Sequence, residues 1–165
     1  MFKFLNNNLI AVFFSFSILV LLSAYFIEFV LGYDACNLCL IGRLPYFLVI
    51  ILTLIYFFFK KIKKIKKIIL LFIFMSFVSS FLISFYHFGI EQGYFNESLI
   101  CQIKVLNQGV SPSELLQELK NNKSKSCKDV NFKILGLSLV TINLFISLIL
   151  SVITFKNILK NEKNK

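Results

Sequence analysis

The chain has 165 residues, 58% of them hydrophobic and 16% aromatic, with a mean hydropathy of +0.80. An ordinary soluble domain holds about 45–50% apolar residues, and a chain this short cannot enclose so large an excess in one water-facing core. The net charge of +10 does not mark a nucleic-acid binder, because the lysines stand in blocks between apolar runs instead of alternating with aromatics on one surface.

Four uncharged apolar runs follow one another, at about Leu9–Ile27, Leu44–Phe59, Ile68–Ile90 and Ile134–Phe155. A helix needs about 20 residues to cross the hydrocarbon layer, and the second run reaches that length if it extends back to Leu40. No alternating strand pattern appears, and lipid does not tolerate unpaired backbone. The expectation is an all-α bundle of four transmembrane helices over about 9–31, 40–59, 68–90 and 134–155, forming a single membrane domain over 1–165. The first run is longer than the apolar core of a signal peptide, about 7–15 residues, and only Lys3 precedes it. It is read as a retained span.

The connection between the second and third runs holds six lysines, Lys60, Lys61, Lys63, Lys64, Lys66 and Lys67, and no acid. The tail adds Lys156, Lys160, Lys163 and Lys165 against Glu162. Short lysine-dense segments stay on the cytoplasmic side, which puts both termini inside. Two loops then face outward, at about 32–39 and 91–133, and all four cysteines fall in or beside them. Disulfides persist outside the cytoplasm and rarely within it.

Cys36-Asn37-Leu38-Cys39 brings two thiols close enough to cycle between dithiol and disulfide, and such motifs lower a cysteine pKa. Cys101 and Cys127 form a wider pair in the second loop, suited to a disulfide that must move. Two bland assignments compete. A structural zinc site normally draws on two closely spaced pairs, and Cys101 and Cys127 are far apart, so no metal is expected. Two inert bracing disulfides remain open.

Arg43 lies one turn beyond Cys39 and on the same helix face. It can stabilise the Cys39 thiolate or donate to a carbonyl oxygen of a bound cofactor; equally, it can be an arginine reaching for the interface. Pro45 suits the first turn of a helix and marks an expected start. His87, the sole histidine, lies near the outward end of the third run; an interfacial polar role and a functional one are both open. Glu28 is a weaker case of the same kind. In the second loop, Ser111-Pro112-Ser113-Glu114 followed by Leu115, Leu116 and Leu119 reads as a capped amphipathic helix on the outer membrane surface.

Taken together, these residues resemble the DsbB family of membrane disulfide-generating proteins. The resemblance rests on Cys36-Asn-Leu-Cys39-Leu-Ile-Gly-Arg43-Leu-Pro45-Tyr46, on Tyr86-His87-Phe88-Gly89-Ile90-Glu91, on the later cysteine pair, and on Cys127 followed by Leu135-Gly136-Leu137-Ser138 at the fourth run. Ala35 stands where many relatives have Pro, and Gly42 where many have Gln or Glu before the arginine.

The resemblance implies a relay at the bacterial inner membrane. A soluble periplasmic thioredoxin-fold oxidase of the DsbA kind delivers electrons, its thiolate attacking Cys101. Cys127 then attacks Cys36, and Cys39 is left as a thiolate beside Arg43. A membrane quinone, ubiquinone or menaquinone, takes the electrons, with His87 as the quinone-proximal histidine. Two alternatives stand beside it. One is a quinone-linked reductase of the vitamin K epoxide reductase type, whose C-x-x-C usually lies in a later span. The other is a non-enzymatic membrane protein with structural disulfides.

Overall fold

The computed structural model describes residues 2–33, 35–59, 63–97, 101, 127, 133–134 and 136–163. Four long helices dominate: α1 (Phe2–Phe29), α2 (Asn37–Phe59), α3 (Lys63–Glu91) and α4 (Leu139–Lys163). Each contains a stretch long and apolar enough to cross a membrane: Leu9–Phe29, Asn37–Phe59, Lys66–Glu91 and Leu139–Lys160. The protein is therefore an all-α four-helix membrane bundle, as its hydropathy predicts. The amphipathic helix expected over 111–119 lies outside the described residues.

Helix α3 is central, packing along both α2 and α4, while α1 lies against α2. The faces turned outward carry bulky apolar side chains such as Leu19, Phe26, Phe58, Phe72, Met75 and Phe145. One core cluster is built from Phe13, Tyr46, Val49, Ile73 and Phe77. Beside it the interior holds many small polar residues, among them Ser17, Thr53, Ser76, Ser80, Ser84, Ser147 and Thr154. Lipid offers no hydrophobic drive for helix association, so small side chains and hydrogen bonds hold such bundles together. Several hydroxyls are satisfied within their own helix, as where Ser76 donates to the Phe72 carbonyl and Thr154 to the Leu150 carbonyl. A longer clasp joins three helices. Tyr46 donates to Asn143 Oδ1 at 2.5 Å, and Asn143 donates to Ser84 Oγ at 2.6 Å.

The helix ends differ from the sequence expectation in two places. Helix α2 starts at Asn37, not near Leu40, so Pro45 sits inside it. The reason is the cap: Leu40 N–H reaches the Cys36 carbonyl at 3.1 Å and Cys39 N–H reaches the Cys36 sulfur at 3.3 Å, so Cys36 closes the first turn. Helix α4 starts at Leu139, not at Ile134. Residues Lys133–Ile134 (β1) and Leu137–Ser138 (β2) pair antiparallel as a minimal hairpin, with Gly136 at φ +83°. Ser138 then caps α4, accepting from Thr141 N–H at 3.2 Å and donating to Glu91 at 2.7 Å, which fastens the start of α4 to the end of α3.

The end of α3 turns the chain back over the bundle. Gly93 takes φ +79°, Tyr94 N–H bonds to the Gly89 carbonyl at 2.8 Å, and Gly93 N–H bonds to the Ile90 carbonyl at 3.0 Å. This is a Schellman termination, in which an L side chain is strained at the left-handed position. Nothing lies within 4 Å of a Cβ built there, so the backbone alone decides the outcome. Gly93→Ala is expected to destabilise the protein by about 1 kcal/mol, read as a lower midpoint in thermal unfolding in detergent.

Candidate active site

The site lies where α2 begins and α3 ends. Cys36 caps α2, and its sulfur receives the Cys39 N–H at the positive end of the helix. One turn on, the Cys39 sulfur lies 2.9 Å from that of Cys36, a hydrogen-bonded contact between two free thiols. From α3, His87 Nε2 approaches the Cys36 sulfur at 3.7 Å. Fixed donors thus converge on Cys36. The hydrogen bond shared with Cys39 is the largest effect and holds the Cys36 thiol well below the ordinary thiol range; burial opposes it, and His87 adds to it through its hydrogen bond and charge.

The wider pair arrives at the same place. Cys101 and Cys127 form a disulfide and are both buried. They pack with Leu38 and Ile90 into a second apolar cluster, against which Cys36 and Tyr86 lie. The Cys36 sulfur, a His87 ring nitrogen and the Cys127 sulfur all lie within 4.8 Å of one another. His87 is only 4% exposed, and its ring also meets the Cys127 backbone. A dithiol at the start of α2 and a disulfide from the second outward loop therefore meet at one end of the bundle, with the His87 imidazole beside both.

Arg43 occupies the neighbouring position on α2. Its Nη1 donates to Glu28 Oε2 at 2.5 Å, and its guanidinium lies 4.9 Å from the centre of the Tyr25 ring. Both partners come from the last turns of α1, so the arginine fastens α1 to α2. Its hydrogen bond goes to Glu28 and not to the Cys39 sulfur, on which the charge acts only through space. The six residues singled out from the sequence thus fall into two stations. Cys36, Cys39, His87 and Cys127, with Cys101 bonded to Cys127, form the sulfur cluster; Arg43 stands beside it, facing α1.

Two features escaped the sequence. Glu28 as the partner of Arg43 needs the α1–α2 pairing, and no spacing rule links residues in different helices. The capping role of Cys36 was hidden because Pro45 suggested a later helix start; the Asn37-Leu38-Cys39 run carries no strong start signal of its own.

The family model of disulfide bond formation protein DsbB matches residues 6–156. The uncharacterized protein RP370 of Rickettsia prowazekii (strain Madrid E) is 30% identical over 150 residues, covering 90% of this chain and 83% of that protein. No solved structure matches. With a family match over nearly the whole chain, four spanning helices and two cysteine pairs meeting at one end of the bundle, the chain belongs to the DsbB family of membrane disulfide-formation proteins, which are thiol oxidoreductases.

Proposed function

We propose that this protein reoxidises a soluble periplasmic dithiol of the DsbA kind and passes the electron pair to a membrane quinone. The observation that supports this most is the approach of the Cys127 sulfur to that of Cys36, with a disulfide on one side and a dithiol on the other. Two bracing disulfides would have no need of that proximity, nor of a histidine beside it.

The steps follow from thiol–disulfide exchange, in which a thiolate attacks one sulfur and the other leaves with the bonding pair. A thiolate of the reduced partner attacks Cys101 and releases the Cys127 thiolate. Cys127 attacks Cys36 of an oxidised Cys36–Cys39 pair, and Cys39 leaves as thiolate. The partner's second thiolate resolves its bond to Cys101. Cys101 then attacks Cys127, restoring their disulfide and expelling Cys36 as thiolate. The two electrons now rest on Cys36 and Cys39. The arrangement described above, a Cys101–Cys127 disulfide beside two free thiols, corresponds to this last state.

In this order Cys36 is a leaving group, and lower-pKa thiols leave faster. The helix N-terminus, the Cys39 thiol and His87 all serve that departure. His87 stabilises the Cys36 thiolate as it leaves, a role closer to the sulfurs than to the cofactor that the resemblance assigns it.

The surroundings of Cys39 fit a quinone. Arg43 gives one N–H to Glu28, and its remaining donors suit a carbonyl oxygen. Leu40, Leu44 and Phe47 lie on the same stretch of α2 and are exposed, which suits a flat apolar ring arriving from lipid. Arg43 would hold such a group; when bound, it supplies the sink for two electrons and two protons. The lysine-dense segments between α2 and α3 and at the tail support cytoplasmic termini, a periplasmic site and an inner-membrane location.

Purified protein mixed with a reduced DsbA-type oxidase and a ubiquinone analogue should reduce the quinone, followed by absorbance; no turnover would sink the proposal. Cys36→Ala and Cys39→Ala should abolish turnover, while Arg43→Ala should raise the apparent KM for quinone by about tenfold or more; an unchanged KM removes Arg43 from the acceptor site.

His87→Ala should slow the expulsion of Cys36 by about tenfold or more. A Cys36–Cys127 cross-link should then accumulate during turnover, visible by peptide mapping under acid quench. Absence of that species at a reduced rate would place His87 elsewhere in the cycle.

The direction of the Cys36 shift gives a pH signature. A lowered pKa keeps the thiolate populated as pH falls, so iodoacetamide should alkylate Cys36 of the reduced protein with a midpoint below the ordinary thiol value of about 8.5. A midpoint at or above that value would remove its thiolate role.

A further inference from the structure

The sulfur cluster holds more ligating atoms than any single exchange step uses. Cys36 Sγ and His87 Nε2 are 3.7 Å apart, and with Cys127 Sγ they form a set no wider than 4.8 Å. The Cys39 sulfur lies 2.9 Å from that of Cys36. Around a tetrahedral zinc ion with Zn–S near 2.3 Å, ligand atoms sit about 3.5–3.8 Å from each other. The Cys36, His87 and Cys127 atoms need adjustments of about an ångström or less to reach that geometry. His87 and Cys127 are 4% and 3% exposed, which gives the closed surroundings of a structural site. The neighbouring cation, Arg43, is engaged by Glu28.

The sequence disfavours a metal because Cys101 and Cys127 are widely spaced. The fold removes that objection by bringing Cys127 to Cys36 from the far end of the loop. What bars a metal is then the redox state: in the Cys101–Cys127 disulfide, Cys127 is not a thiolate.

We propose that the fully reduced protein captures one soft divalent cation, Zn²⁺ or Cd²⁺, on Cys36, Cys127 and His87, with Cys39 as the fourth donor. A dithiol opens the Cys101–Cys127 disulfide and is itself oxidised to a disulfide. Metal binding then releases the proton of each ligating thiol to water, and no electron moves. The cation ties Cys36 to Cys127 without a covalent bond between them, and so blocks the exchange that would carry the electrons onward. The oxidised protein is immune. Inhibition by such ions therefore rises as the protein becomes more reduced. Binding is an equilibrium property, so it stands or falls separately from the quinone proposal.

The test uses full-length protein in detergent, reduced with a phosphine, freed of it by gel filtration without air, and titrated with Cd²⁺. The thiolate-to-metal absorption band reports binding. The expected result is one Cd²⁺ per chain for reduced protein and no saturable band for protein with both disulfides formed. His87→Ala and Cys127→Ser should each weaken binding by about tenfold or more. Cys101→Ser removes the same disulfide but no ligand, and should bind as the reduced wild type does. His87→Cys, which restores a donor, should recover the affinity lost in His87→Ala, and this separates ligation from damage to the fold. Equal affinity in all variants would assign the ion to the Cys36–Cys39 pair alone and overturn the proposal, as would a failure of reduced wild-type protein to bind.

Discussion

The sulfur of Cys36 is held from three directions at once, and the rest of the site is arranged around that point. The Cys39 N–H fixes it at the start of α2, the Cys39 thiol touches it from one turn on, and His87 reaches it from α3. Each contact favours negative charge on a group that burial alone would keep neutral. Because those donors come from two helices, the electronic state of the sulfur depends on the α2–α3 packing. A change in that packing would alter reactivity before it altered the fold.

The bundle inverts the usual distribution of polarity. Phe72, Phe145 and Leu19 face outward, while Ser17, Ser84 and Ser147 are buried. In water this arrangement would be untenable; in lipid the apolar exterior is solvated, and the interior can be given to small side chains and directed hydrogen bonds. The polar interior carries the positioning that the chemistry requires. Asn143 links Tyr46 of α2 to Ser84 of α3, one turn below His87. Glu91 links α3 to the first turn of α4 through Ser138. Both ties lie close to the sulfur cluster, where accuracy matters most.

Much of this was legible in the sequence. Hydropathy gave four spans because a membrane helix must be apolar along its whole length. The Cys36–Cys39 spacing and the Tyr86–Glu91 block marked residues that the fold brings together. Contacts between distant segments were beyond the reach of spacing, and the meeting of Cys127 with Cys36 was implied by the family resemblance alone. Neither Glu28 with Arg43 nor Cys127 with Cys36 has any signature in local spacing, since both depend on which helix ends become neighbours. The start of α4 was misjudged for a related reason. Ile134 is apolar enough to continue a span, but Gly136 at positive φ and Ser138 as a cap turn the chain before the helix begins. Pro45 misled in the other direction, since a proline suits both a first turn and the interior of a membrane helix whose neighbours compensate for the missing N–H.

The Tyr46–Asn143–Ser84 clasp also acts as a ruler. Sliding one helix past another by a single turn displaces every side chain by about 5.4 Å, which exceeds the 4.8 Å that spans the Cys36, His87 and Cys127 ligating atoms. One register error between α2 and α3 would therefore carry Cys36 out of reach of His87 while leaving a bundle that still satisfies the lipid. Hydrophobic matching cannot detect such an error, because any apolar face is as good as another to an acyl chain. A directed hydrogen bond can. The clasp gives the bundle a preferred vertical alignment, and so its worth lies less in the depth of the energy well than in how narrow that well is along the helix axis.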